Sequence, residues 1–322
     1  MKGFGNGVGG LWLDIHTAVV TGPTGILGTA LTKKLVEEGV EIYVICRPNS
    51  RRLGAILQNP LIHRVECDLR DIRDLPSRLS CSCDAFFHFA WGGTERPDNR
   101  WNMHLQNDNV RYALDAVEAA HDLGCQVFVG AGSQAEYGHV DGVLRPNTPT
   151  NPVSGYGMAK LCAGQMTRVM CHTYGIRHIW PRIVSTYGVN DGPQTLISVV
   201  ITRLLAGEKP ALTAGEQVWD YLHGTDAAAA FWGMATKGRD GAVYVLGSGQ
   251  TKTLREYMEI IRDAIDPKLP LGIGEIPYYP DQAMHLEADI SALEKDLGWK
   301  PQMSFHQGIQ ELIQARRDEM RL

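Results

Sequence analysis

Thr17-Ala-Val-Val-Thr-Gly-Pro-Thr-Gly-Ile-Leu-Gly28 decides how this chain folds. Thr17 to Thr21 is a short run of apolar and β-branched residues, the composition of a buried strand. It runs directly into Gly22, Gly25 and Gly28, and a helical pattern extends from Ile26 to Glu38. Glycines there permit a tight turn and let backbone approach a bulky anion, while the helix start presents free N–H groups and a positive dipole end. A three-glycine pattern by itself marks only a turn. Set between a first strand and a first helix, with Thr24, Ile26 and Leu27 in the same segment, it marks a cradle for a pyrophosphate.

Outward from this point the pattern alternates. Further β-type runs lie at Glu41–Cys46, His63–Glu66, Ala85–Ala90, Gln126–Gly130 and His178–Ile183, with helical patterns at Asn109–Leu123 and Tyr156–Tyr174. Strands alternating with helices specify an α/β fold, a Rossmann-type doubly wound parallel sheet with helices on both faces. After Ile183 prolines interrupt shorter elements, which predicts a smaller α/β substrate-binding domain. Asp226–Ala235 reads as helix and Ala242–Leu246 as strand, both returning to the main sheet. The expected division is residues 1–186 plus about 225–250 for the cofactor domain, and 187–224 with 251–322 for the second. Residues 1–10, with five glycines, read as a flexible leader.

The chain has 322 residues, 44% hydrophobic and 21% charged, with a net charge of −5. No basic block exceeds two residues, as at Arg51-Arg52, so there is no electrostatic footprint for nucleic acid. The longest alanine-rich apolar run, Ala227 to Ala235, is far short of the ~18–20 residues of a membrane helix, and the N-terminus lacks a secretory core. Seven scattered cysteines without a Cys-x-x-Cys suggest neither disulfides nor a zinc site, and the cytoplasm is the natural compartment. His88, His104, His121 and His172 lack partners at ligand spacing, so no metal is expected. Glycine is in excess, 35 where a background near 7% predicts about 23. Gly92, Gly130, Gly132, Gly138, Gly155 and Gly157 flank the segments discussed next, which reads as backbone passing close to a ligand.

In NAD-binding units an acid at the end of the second strand takes the ribose hydroxyls. Here Cys46 is followed by Arg47-Pro-Asn-Ser-Arg51-Arg52, cations where a 2′-phosphate would lie, so the expectation is NADP, with NAD as the alternative.

Tyr156 and Lys160 stand at i and i+4 of a helical segment, on one face. A phenol with an ordinary pKa near 10 is a poor base at neutral pH, but a cation about 4 Å away contributes about 4 kcal/mol at an effective dielectric near 20. That spacing suits a proton-transferring tyrosine. Ser133 lies just past the carboxyl end of the Gln126–Gly130 strand, where open α/β sheets hold their ligands.

Together these segments resemble the extended short-chain dehydrogenase/reductases, the sugar-nucleotide epimerase, dehydratase and reductase family. The resemblance covers about residues 15–316. It rests on Thr21 to Gly28, Asp68-Leu-Arg-Asp71, Asp84 to Ala90, Asn109-Val110, Ser133 to Gly138, Tyr156-x-x-x-Lys160, Trp219-Asp-Tyr-Leu-His223 with Asp226, and Leu297-Gly-Trp-Lys-Pro301. It implies that Tyr156 is the general acid/base and that Lys160 binds the nicotinamide ribose while lowering the tyrosine pKa. Ser133 would hydrogen-bond the reacting oxygen, and Asn109 would order the active-site network. Asp68 and Leu69 would touch the adenine, and Phe89, Ala90, Trp91 and Ile183 would line the cofactor channel. The helices around 100–123 and 155–174 resemble those that pair family homodimers.

The departures concern chemistry and substrate. Family dehydratases carry Asp-Glu directly after the hydroxyl residue, and here Gln134 and Ala135 stand there, neither able to act as a carboxylic acid. Glu136, one position later, would need a shifted backbone to serve. Family members that bind nucleotide sugars often have arginines at the positions of Trp219 and Tyr279 and an asparagine at that of Ser185. The two aromatics could stack on a base or sugar, or could be core residues. The expected function is an NADP(H)-dependent oxidoreductase acting at C4 of a nucleotide-activated sugar, a 4-keto-sugar reductase with Gln134, Ser185, Trp219 and Tyr279 near the substrate. A 4-epimerase would use the same residues, and a cofactor-sensing scaffold would lack them.

Overall fold

The computed structural model describes residues 12–321 apart from Glu95 and Asp281; the expected leader at 1–10 lies outside them. The first half contains β1 (Thr17–Thr21), α1 (Ile26–Glu37), β2 (Glu41–Cys46), β3 (Ile62–Glu66), β4 (Ala85–His88), α2 (Met103–Asp122) and β5 (Val127–Gly130). Next come β6 (Gly132–Ser133), β7 (Val143–Leu144), α3 (Gly155–Tyr174), β8 (Arg177–Ile179), β9 (Arg182–Ile183) and β10 (Ser185–Tyr187). The remainder is α4 (Leu196–Leu205), β11 (Val218–His223), α5 (Gly224–Lys237), β12 (Val245–Leu246), β13 (Thr251–Thr253), α6 (Leu254–Ile265), β14 (His285–Ala288), α7 (Ser291–Leu297) and α8 (Phe305–Arg321).

Six strands form a parallel sheet in the order β3-β2-β1-β4-β5-β8. Strand periodicity decides what each face buries. Ala18 and Val20 of β1, Ala85 and Phe87 of β4, and Val127 and Val129 of β5 join a core with α1 and α5. Val19, Phe86 and Phe128 point to the opposite core, which α2 covers. Beyond the ends of β5 and β8 the chain continues as a second parallel set, β6-β9-β12. A parallel bridge from Ile179 to Ala242 and the packing of Phe231 and Met234 of α5 tie residues 224–246 to the first core. Another core, built from Val200, Ile201, Leu204, Tyr257, Ile261, Ile309 and Ile313, joins α4, α6 and α8.

Three expected elements differ in extent. The Ala85–Ala90 run leaves the ladder after His88, because the N–H groups of Phe89 and Ala90 both donate to Thr21 Oγ1 at 3.1 Å. The His178–Ile183 run splits in two at Trp180-Pro181, since Pro181 has no N–H for a ladder. The second long helix begins at Met103, six residues before Asn109, where the Asn102 side chain caps the Leu105 N–H at 3.1 Å. The internal glycines also have a different explanation from the one expected. A Cβ on Gly130, Gly132 or Gly164 would run into the Trp180 side chain, one on Gly157 into the Ala135 carbonyl, and one on Gly138 into the Asn151 carbonyl. At these positions the close approach is to the chain itself.

Candidate active site

The β1–α1 turn has the geometry of an anion cradle. Gly22 has φ +70°, and a Cβ on it would fall 2.9 Å from the Ala90 nitrogen. A Cβ on Gly28 would overlap the Gly22 carbonyl, so both positions require glycine for the turn to close. Gly25 differs: a Cβ there would meet only the Gly22 oxygen, at 3.7 Å, and the residue caps α1 without any side-chain hydrogen bond. The first N–H groups of α1 therefore have no side-chain acceptor, with Thr24, Ile26 and Leu27 only half-buried around them. This arrangement fits a dinucleotide pyrophosphate.

The other expected cofactor residues surround this turn. Phe89 and Ala90 are half-buried beside Gly22, with Phe89 packed on Phe231 at 4.5 Å between ring centroids. Asp68 caps the turn that begins at Leu69, accepting Arg70 N–H and Nε–H bonds at 3.1 Å. Partial burial raises the Asp68 pKa, but the Arg70 hydrogen bonds and the nearby Arg47 charge outweigh it and hold it below the ordinary value. Arg47 is exposed. Arg52 is engaged elsewhere, donating to the Asn190 carbonyl at 2.8 Å.

Tyr156 and Lys160 occupy the first turns of α3, capped by Ser154, whose hydroxyl accepts the Gly157 N–H at 3.2 Å. Lys160 is 4% exposed, and its Nζ donates to the Ala131 carbonyl at 2.7 Å. The same nitrogen lies 3.6 Å from the Trp91 ring centroid and 5.8 Å from that of Tyr156. Burial pushes the Lys160 pKa down to about 7, with the Glu136 charge opposing. Burial also raises the half-buried Tyr156, although the Ser133 hydroxyl and the Arg100 guanidinium both favour its phenolate. The expected depression of the tyrosine by Lys160 is thus not what this arrangement produces. The ammonium is turned toward Ala131 and Trp91, and loss of water from the phenol prevails.

The profile of the family described as NAD dependent epimerase/dehydratase matches residues 18–247. The chain belongs to that family. A dTDP-glucose 4,6-dehydratase of Xanthomonas campestris pv. campestris is 30% identical over 92% of this chain and 92% of that protein. A putative UDP-glucose 4-epimerase of Methanocaldococcus jannaschii is 26% identical, over 92% and 96%. Among solved structures, a UDP-N-acetylglucosamine 4-epimerase of Methanobrevibacter ruminantium superposes with TM-score 0.86 at 20% identity, covering 96% of this chain and all of that one. The family is one of enzymes, the extended short-chain dehydrogenase/reductases, and the fold is theirs.

Within this family member, the Ser133 hydroxyl lies beside the Tyr156 phenol, and the Lys160 ammonium stands 5.8 Å from the Tyr156 ring centroid. Asn109 lies one step back: buried in α2, it accepts the Gly92 N–H at 2.7 Å and donates to the Gly92 carbonyl at 3.0 Å, pinning the loop after Trp91. Gln134 is half-buried in the one-turn helix after Ser133, and Ile183 is half-buried in β9. Trp219 and Ser185 pair with each other, indole Nε1 donating to Oγ at 2.9 Å, while Tyr279 is 75% exposed and so not a core residue.

Two features escaped the sequence reading, a cleft and the role of Glu136, while His88, expected as an ordinary packing or surface residue, is a packing residue. A cleft beside Tyr156 is lined by Trp91, Gly92, Gly93, Thr94, Arg96, Arg100 and Gln106, and Arg100 lies 5.0 Å from the Tyr156 ring centroid. His88 is buried against Phe86 and Phe128, its pKa pushed down to about 3 by burial. Glu136 accepts hydrogen bonds from Ser133 N–H, Trp180 Nε1–H and Arg182 Nε–H. The spacing Gly130-x-Gly132, with Trp180-Pro-Arg182 in the His178–Ile183 run, is the signal that could have announced this last cluster.

Proposed function

We propose that the protein is an NADP(H)-dependent reductase of a 4-keto sugar carried on a nucleotide. The observation that carries this reading is the contrast at residues 133–136. Ser133 stands with Tyr156 and Lys160, whereas Gln134 and Ala135 offer no carboxylic acid and the Glu136 carboxylate is fully engaged inside the protein. Proton transfer to an oxygen is supported and elimination of water is not, although curated relatives are named 4,6-dehydratases.

The nicotinamide cofactor supplies the hydride in this chemistry. Tyr156 holds the proton that the new hydroxyl requires, and burial, by favouring the protonated phenol, suits the reductive direction. Ser133 hydrogen-bonds the reacting oxygen as negative charge develops on it. Lys160 holds the nicotinamide ribose, and Asn109 fixes the loop that carries Trp91. Arg96 and Arg100 line the cleft beside the phenol and suit a charged substrate group. The elements around the core of α4, α6 and α8 serve as the substrate-binding domain, with Trp219, Ser185 and Tyr279 as its proposed substrate-contacting residues.

NADP rather than NAD is favoured by Arg47, whose charge acts on Asp68 at the expected adenine edge. A homodimer is supported by Met158, Cys162, Met166 and Val169, an exposed stripe at helical spacing on α3. The likeness to 4-epimerases supports a second reading, in which tightly held cofactor oxidises and re-reduces C4. Denaturing the purified protein and identifying the released cofactor separates them: exchangeable NADP(H) agrees with the reductase, and stoichiometric retained NAD with no net redox agrees with the epimerase.

A further inference from the structure

The Glu136 carboxylate is a buried anion with both oxygens engaged directly behind Ser133. Its Oε1 accepts the Ser133 N–H at 2.8 Å and the Trp180 indole N–H at 3.0 Å, and its Oε2 accepts Arg182 Nε–H at 2.7 Å. The side chains of Glu136 and Arg182 are 1% and 5% exposed. Trp180 sits in a slot left by Gly130, Gly132 and Gly164, where any Cβ would collide with the indole. Three side chains are absent so that one indole N–H can reach one carboxylate oxygen.

Stability does not account for such a cluster. The desolvation of two buried ions commonly cancels their attraction, and packed apolar residues do as well. What the cluster achieves is placement. Ser133 and Glu136 close a reciprocal capping box around the turn Gln134–Glu136, the Ser133 hydroxyl accepting the Ala135 N–H at 3.2 Å while Glu136 takes the Ser133 N–H. Ser133 is thereby held at both its backbone and its hydroxyl.

We propose that Glu136, backed by Arg182 and Trp180, is a positioning residue that holds the Ser133 hydroxyl at Tyr156 and places a fixed negative charge behind the proton-transfer pair. The inference rests on the reading that Tyr156 and Ser133 handle the reacting oxygen. The charged groups acting on Tyr156 are Arg100 from the turn at 97–101 and Glu136, while Lys160, on the same helix, faces Glu136 and His88 of β4. Of these, Glu136 alone is anionic; it favours the protonated form of both Tyr156 and Lys160.

The test uses full-length protein with NADPH bound and compares Glu136→Gln, the charge-neutral double variant Glu136→Gln with Arg182→Met, and Trp180→Phe. Readouts are kcat, NADPH affinity, and the titration midpoint of Tyr156 taken as the difference from Tyr156→Phe. Both charge variants should lose about tenfold or more in kcat through misplacement of Ser133, at unchanged NADPH affinity; the Tyr156 midpoint should move to lower pH in Glu136→Gln, where the Arg182 cation is left unpaired, and by less in the double variant. Trp180→Phe, which keeps the carboxylate, should lower kcat a few-fold and leave the midpoint in place. A double variant with the parent kcat and midpoint overturns the proposal and makes Glu136 merely structural. If neither charge variant folds, Trp180→Phe decides, and an unchanged kcat overturns it. Turnover surviving in Tyr156→Phe is a separate result, which removes the underlying reading.

Discussion

The Lys160 ammonium nitrogen lies 3.6 Å from the centroid of the Trp91 ring while donating to the Ala131 carbonyl at 2.7 Å. Burial pushes the Lys160 pKa down to about 7 against the opposing Glu136 charge, and contacts of this kind help to keep the ammonium charged near neutrality. A ring face beneath a desolvated cation contributes about 0.5–2 kcal/mol. Trp91→Leu should therefore let Lys160 lose its proton at lower pH, moving the alkaline limb of the kcat profile toward acid and lowering kcat at neutral pH by about 2- to 15-fold. A pH–rate profile of the variant checks this; an unmoved alkaline limb contradicts it.

Tyr156→Phe removes the transferred proton and keeps the ring on Trp91. Turnover should fall by about 10²–10⁴, the range for general acid catalysis, with cofactor affinity unchanged. Ser133→Ala should cost about 10²–10³ through loss of the hydrogen bond to the developing charge. Steady-state kinetics with a fluorescence titration of NADPH separates chemistry from binding.

Arg47 is the exposed cation beside Asp68 at the end of β2. Arg47→Ala should raise KM for NADPH by about tenfold, the equivalent of one charge-assisted hydrogen bond, and leave KM for NADH unchanged. An equal effect on both cofactors would place Arg47 away from the 2′-phosphate.

His88 and His178 are buried neutral, their pKa values pushed by burial down to about 3 and about 4. Each is 6.5 in the unfolded chain, so below pH 6.5 the unfolded state takes up protons that the folded state refuses. Their contribution is complete above pH 6.5 and falls by about 1.4 kcal/mol per histidine per pH unit down toward pH 4. His178→Gln should flatten the acid side of a Tm-against-pH curve by its share. An unchanged slope would mean that acid unfolding arises elsewhere.

How much the sequence discloses depends on the range of the interaction. The β1–turn–α1 unit is legible because strand, glycines and helix are contiguous, and β1 and β2 match their expected bounds residue for residue. Tyr156 and Lys160 are legible as a pair because one helix carries both. Where Lys160 points is not, since Ala131 and Trp91 arrive from the link between β5 and β6 and from the loop after β4. The same holds for Glu136: its partners Trp180 and Arg182 lie 44 and 46 residues away, so the local motif suggested only a displaced catalytic acid. The glycines at 130 and 132 were misread for that reason, the indole they accommodate being distant in sequence.

Carbonyl reduction at a sugar without loss of water is decided by product analysis. The purified protein is incubated with NADPH and with UDP-, GDP-, CDP- and dTDP-sugars and their 4-keto forms, and products are identified by NMR. One 4-keto sugar should become its 4-hydroxy product with one NADPH oxidised per molecule. Formation of a 4-keto-6-deoxy product from a parent hexose, or inversion at C4 with no NADPH consumed, would contradict it.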